Sequence, residues 1–124
     1  MDTGFLTRSI IDGGERRLYQ VYVPSDYDPS RCWPVILFLH GAGEGGRDAL
    51  LPTEYQLGSA LRRKAYAFPG LVVFPQVRTY QPVWSSADVA FALRVLAEVQ
   101  RDFATDASRG YVTGVSTGAK ANTV

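Results

Sequence analysis

Along the chain the spacing of apolar and polar residues changes from one segment to the next. Two runs rich in β-formers, Thr7–Ile11 and Arg17–Val23, flank Asp12-Gly13-Gly14, and this reads as a hairpin with a tight turn. In the second run Leu18, Gln20 and Tyr22 fall on one side and Tyr19, Val21 and Val23 on the other, the pattern of an outer strand. Pro24 ends it, and a polar loop follows. Val35 to Leu39 are apolar without alternation, as in a strand buried on both faces of a parallel sheet. An open loop with Gly41, Gly43, Gly45 and Gly46 comes next. Tyr55, Leu57, Leu61 and Ala65 then recur at roughly helical spacing, weakened by Gly58, until Phe68-Pro69-Gly70. Leu71–Pro75 is a second buried-type strand.

The clearest helix begins at Ser85 or Ser86, either of which can cap it, with Asp88 near its positive end. Val89, Leu93, Leu96, Val99 and Phe103 recur at spacings of three and four and predict its apolar face. Asp106–Gly110 reads as a connector, Tyr111–Val115 as a third central strand, and a helix starts after Ser116. Strands alternating with helices predict an α/β fold: a hairpin followed by parallel strands joined by right-handed crossovers. With 124 residues the chain makes one domain.

Composition narrows the function classes. Hydrophobic residues make up 46% and charged residues 20%, a globular balance. The net charge of +1, from 13 basic and 12 acidic side chains, gives no electrostatic reason to expect nucleic acid or an anionic membrane as partner. Arg62-Arg63-Lys64 reads as a solvated helix face. Cys32 is the sole cysteine, so no intrachain disulfide forms. The N-terminus lacks the pattern of a signal peptide, and no apolar run approaches the ~20 residues of a membrane span, so a cytoplasmic location is expected. With a single histidine and a single cysteine, and no ligand spacing among the acidic residues, no metal or other cofactor is expected. No G-K-[ST] follows the glycine loop, which excludes a phosphate loop.

Two segments carry chemistry. Gly114-Val115-Ser116-Thr117-Gly118 matches G-x-S-x-G between a strand and a helix start. The chain must reverse there within a few residues, leaving Ser116 exposed on a strained turn, and side chains at 114 or 118 would meet neighbouring backbone. The following helix start brings the Thr117 N–H to where an oxyanion would form. His40-Gly41-Ala42-Gly43-Glu44 directly follows a buried strand. Acyl transfer needs a second oxyanion donor from another strand end; Ala42 N–H is the candidate, Gly41 gives the turn its space, and Gly43 is the fallback donor.

These segments resemble the α/β-hydrolase superfamily. More narrowly, they resemble the bacterial phospholipase/carboxylesterase and polyhydroxybutyrate-depolymerase-like esterases, a group often labelled predicted peptidases. The residues that carry it are "TGFLTRSI" with "RRLYQVYVP", "PVILFLHGAGE" and "YVTGVSTGA", in order along nearly the whole chain. Ala119 departs from the S-x-G-G common in that group. The resemblance implies a strand order of 1-2-4-3-5 with the nucleophile strand at an open edge, and a triad Asp and His that follow later strands, beyond residue 124. The chain is therefore expected to be the N-terminal part of such a domain, truncated after the nucleophile turn.

The expectation is a serine hydrolase of carboxylic esters, with Ser116 as nucleophile and small-molecule esters as substrates. A peptidase is the alternative within the class, and a non-catalytic remnant or binding module the alternative outside it. His40 in the family is usually structural; as the only histidine here it is also a candidate base, as is Lys120, one helical turn after Ser116. Trp84 reads as a core residue or as a wall of the acyl pocket.

Overall fold

The structure, a computed structural model, describes residues 2–40, 58, 60–61, 68–77 and 84–114. The described strands are β1 (Gly4–Asp12), β2 (Glu15–Val23), β3 (Trp33–Leu39), β4 (Leu71–Phe74) and β5 (Thr105–Gly114), with a long helix, Ser86–Asp102, between β4 and β5. They form a five-stranded sheet in the order β1-β2-β4-β3-β5, as the resemblance implied. β1 and β2 pair antiparallel, as do β2 and β4, while β3 runs parallel to both β4 and β5. This is the hairpin-plus-three-parallel-strands arrangement of a partial α/β-hydrolase sheet.

Local chemistry explains the elements. Asp12 pairs with Glu15 across Gly13 and Gly14, whose φ values of 59° and 80° give the two left-handed residues of a tight I′-type turn. Gly70 sits where a Cβ would lie 3.0 Å from the Pro34 carbonyl oxygen, so the entry to β4 approaches β3 as only glycine allows. The long helix starts at a capping box: Ser85 Oγ accepts from the Asp88 N–H at 3.1 Å, and Asp88 Oδ2 accepts from the Ser85 N–H at 3.0 Å.

The core lies on both faces of the sheet. On one face Tyr19, Val21, Val35, Leu37 and Val73 pack with Phe91, Ala92, Val95 and Val99 of the long helix. On the other, Tyr22, Phe38, Val72 and Phe74 pack with Leu61. Gly58, Ala60 and Leu61 are helical, and the rest of the predicted 54–67 helix lies outside the described residues.

Three expectations change. β2 is an interior strand, not an outer one: residues 19–23 are buried on both faces, and Gln20 is accommodated by donating its amide to Thr7 Oγ1. The buried face of the long helix is Phe91, Ala92, Val95 and Val99; Leu93 is half exposed, and Val89, Leu96 and Phe103 lie at the margins. β5 begins at Thr105, so the expected connector belongs to the strand. The extra length sits in an irregularity: Thr105 pairs with Trp33 and Gly110 with Val35. Asp106 organises that stretch by accepting from the Ser108 hydroxyl at 2.6 Å, from Arg109 Nε at 2.9 Å and from the Ser108 N–H at 3.0 Å, and these bonds, in that order, hold its carboxyl below the usual range.

The hairpin is tied to the long helix by charge. Arg8 of β1 bonds Asp102, and its guanidinium lies 5.2 Å from the centre of the Phe103 ring. Hydrogen bonds from Arg8 and then Arg101 hold the Asp102 carboxyl below its usual range. Arg94 bonds both Asp12 and the Ile11 carbonyl. Tyr19 donates to Glu98; burial, then that bond, pushes its phenol up.

Candidate active site

The sheet brings the two chemistry-bearing segments to neighbouring strand ends. β3 and β5 run parallel with Leu39 opposite Gly114, the last pair of their ladder. His40 therefore leaves β3 beside Gly114, the first residue of the G-x-S-x-G sequence. Gly41, Ala42 and Gly43 on one side, and Ser116, Thr117 and Gly118 with Lys120 on the other, lie outside the described residues.

His40 is fully buried. Its Nε2 accepts a hydrogen bond from the Val77 N–H at 3.0 Å. A ring nitrogen that accepts carries no proton, so this bond selects the neutral imidazole protonated on Nδ1. The lone pair a general base would use is already engaged, and withdrawing it would strand a buried backbone N–H. The His40 carbonyl accepts from the Trp84 indole N–H at 3.0 Å, and the two rings lie 5.0 Å apart at 52°. Residue 40 is thus gripped through both its side chain and its backbone.

Each grip comes from an element the fold fixes independently. Val77 follows β4, and the preceding residue is anchored because Arg17 of β2 donates to the Gln76 carbonyl at 2.9 Å. The Arg17 guanidinium in turn lies 3.4 Å from the centre of the Phe91 ring, which ties this corner to the long helix. Trp84 immediately precedes the Ser85 cap. Its side chain is 8% exposed and belongs to the core, so of its two expected roles the structure supports packing, with a polar tip turned to His40.

Sequence reasoning did not find the contacts of Val77 and Trp84 with His40. The partners lie 37 and 44 residues away, and no local spacing encodes them. The available signal was a tryptophan placed just before a helix cap, where a polar tip needs a buried acceptor.

A concavity lies away from this corner. Pro34, Ile36, Phe68, Gly70 and Tyr111 line an apolar hollow toward the N-terminal end of β3, opposite to the His40 end. It offers no polar group to orient a reacting carbonyl.

No protein-family model matches the chain, and no curated protein matches it. Solved structures do. A thermostable esterase is 27% identical and matches with a TM-score of 0.74 over 92% of this chain and 35% of its own. A ferulic acid esterase is 15% identical, with a TM-score of 0.71 over 99% of this chain and 54% of its own. A fungal esterase from Rhizomucor miehei is 18% identical, with a TM-score of 0.68 over 98% and 38%. The chain thus spans about a third to a half of the length of these structures. Its fold is esterase-like, that of the N-terminal half of an α/β-hydrolase domain.

Proposed function

We propose that the chain carries the nucleophile and the oxyanion hole of a serine esterase. The observation that supports this reading is the pairing of Leu39 with Gly114, because the glycine-rich sequence begins two residues after the one and G-x-S-x-G begins at the other. The likeness to a thermostable esterase supports ester hydrolysis as the chemistry.

In this reading Ser116 Oγ attacks the carbonyl carbon of a small carboxylic ester while a base takes its proton. The oxyanion is held by the N–H groups of Ala42 and Thr117. The tetrahedral adduct collapses, the C–O bond to the alcohol breaks, and the base returns the proton to the leaving oxygen. Water, activated by the same base, then releases the acid and restores Ser116. His40 is poorly suited as that base because Nε2 is held by Val77. We assign the base to a histidine oriented by an aspartate, both beyond residue 124 in the intact protein.

The test is hydrolysis of short-chain p-nitrophenyl esters and of a peptide p-nitroanilide by the intact protein and its Ser116→Ala variant. Ester turnover that disappears in the variant supports the esterase reading. Turnover of the anilide alone moves the function to a peptidase. Turnover of neither by a folded protein refutes a hydrolase and leaves a non-catalytic binding role.

A further inference from the structure

We propose that Arg17 is a positioning residue for His40, acting through the peptide group that joins Gln76 to Val77, a role that goes beyond the esterase reading and holds whether or not ester chemistry does. β4 ends at Phe74, and its last pairs are Gln20 with Phe74 and Leu37 with Val73. Two residues further on, side chains from the neighbouring strands take hold of the backbone. Arg17 of β2 donates to the Gln76 carbonyl at 2.9 Å, and His40, directly after β3, accepts from the Val77 N–H at 3.0 Å. That carbonyl and that N–H belong to one rigid trans plane and point to opposite sides of the chain. β4 lies between β2 and β3, so the peptide group meets Arg17 on one side and His40 on the other.

Arg17 is itself held in place. Its guanidinium lies 3.4 Å from the centre of the Phe91 ring, and its other terminal nitrogen donates to Asp12 at 3.2 Å. Its side chain is 10% exposed, and Gln76, Val77 and His40 are buried. A largely buried cation at a carbonyl draws electron density through the amide and makes the N–H on the far side a stronger donor. Nε2 of His40 receives that bond. Arg17 therefore sets both the place and the strength of the bond that turns the imidazole toward the end of β4. Within the esterase reading, it commits the chain's single histidine to holding the sheet and leaves proton transfer to the histidine assigned beyond residue 124.

The experiment compares the intact, isotopically labelled protein with its Arg17→Met variant, which keeps an unbranched stem against Phe91 and has no donor. Arg17→Gln is a second uncharged variant, decisive should the first not fold. NMR gives two readouts that need no turnover: the through-hydrogen-bond coupling between the Val77 amide nitrogen and His40 Nε2, and hydrogen exchange of the Val77 amide. The wild-type protein shows the coupling. In either variant the coupling is lost, and Val77 exchange quickens by at least about tenfold relative to Val95 and Val99 of the long helix. Asp12→Asn, which leaves the bond to the Gln76 carbonyl in place, keeps the coupling. A wild-type protein without the coupling overturns the proposal, as does a folded variant with wild-type coupling and exchange at Val77. A rise shared equally with Val95 and Val99, or a coupling lost in Asp12→Asn as well, marks general loosening and also overturns it. An intact protein that hydrolyses no ester defeats the esterase reading and leaves these readouts to decide the role of Arg17.

Discussion

At one edge of the sheet, β1 presents Thr7, Arg8 and Ser9, and its charges are committed: Arg8 to Asp102, and Asp12 to Arg17 and Arg94. At the other edge, Gly110–Gly114 of β5 reads Gly-Tyr-Val-Thr-Gly, with no charge, and Tyr111 and Val112 are 56% and 42% exposed. Charge and bulk are what protect an edge strand from pairing with other chains. β1 has them, and the last five residues of β5 are written like an interior strand. The β1 edge is built for stability. The β5 edge runs directly into the proposed nucleophile. The comparison therefore predicts a dissociation: substitutions near the β1 edge change stability and leave chemistry per folded molecule alone, and those at the end of β5 do the reverse.

The largest effect is expected at the β5 end. Ser116→Ala should lower kcat/KM for esters by at least about 10³-fold with an unchanged melting temperature, read by steady-state kinetics and calorimetry. A comparable fall in stability would break the comparison. Next, Val99→Ala removes a fully buried contact of the long helix with the sheet and should cost about 2 kcal/mol in urea unfolding, with kcat intact. Ser85→Ala removes the helix cap and should cost about 1 kcal/mol.

The strands were legible because β3 and β4 are short apolar runs without alternation and because glycine and proline punctuate the hairpin, whereas their order in the sheet came from the resemblance. The face of the long helix was not. Leu93 and Leu96 on one side, and Phe91, Ala92 and Val95 on the other, both fit a helical period, and only the sheet decides which is buried. The extension of β5 through Asp106–Gly110 was hidden because its polar residues look like a loop, yet Asp106 bonds its own neighbours within the strand. For the site, the adjacency of the two motif-bearing strands followed from the strand order that the resemblance implied. The grip on His40 did not, because it joins the ends of β3 and β4 to a residue before the long helix.

The smallest effects are electrostatic. Asp102 is held below its usual range by Arg8 and Arg101, so its contribution is present above the unfolded carboxylate value of about 3.9 and is lost as pH falls through the lower folded value. Asp102→Asn should flatten the acid limb of the stability profile below about pH 4, a shallow change because the pair is part exposed. Tyr19 has the opposite sign. Its phenol is pushed up, so its contribution is present below about pH 10 and fades as pH rises beyond it. Tyr19→Phe should flatten the alkaline limb.

The most direct test of the account is reaction of the intact, folded protein with a fluorophosphonate, followed by mass mapping of the adduct. The account predicts a single adduct on the peptide containing Ser116, absent from Ser116→Ala. An adduct confined to another residue, or none on a protein that calorimetry shows to be folded, would contradict it.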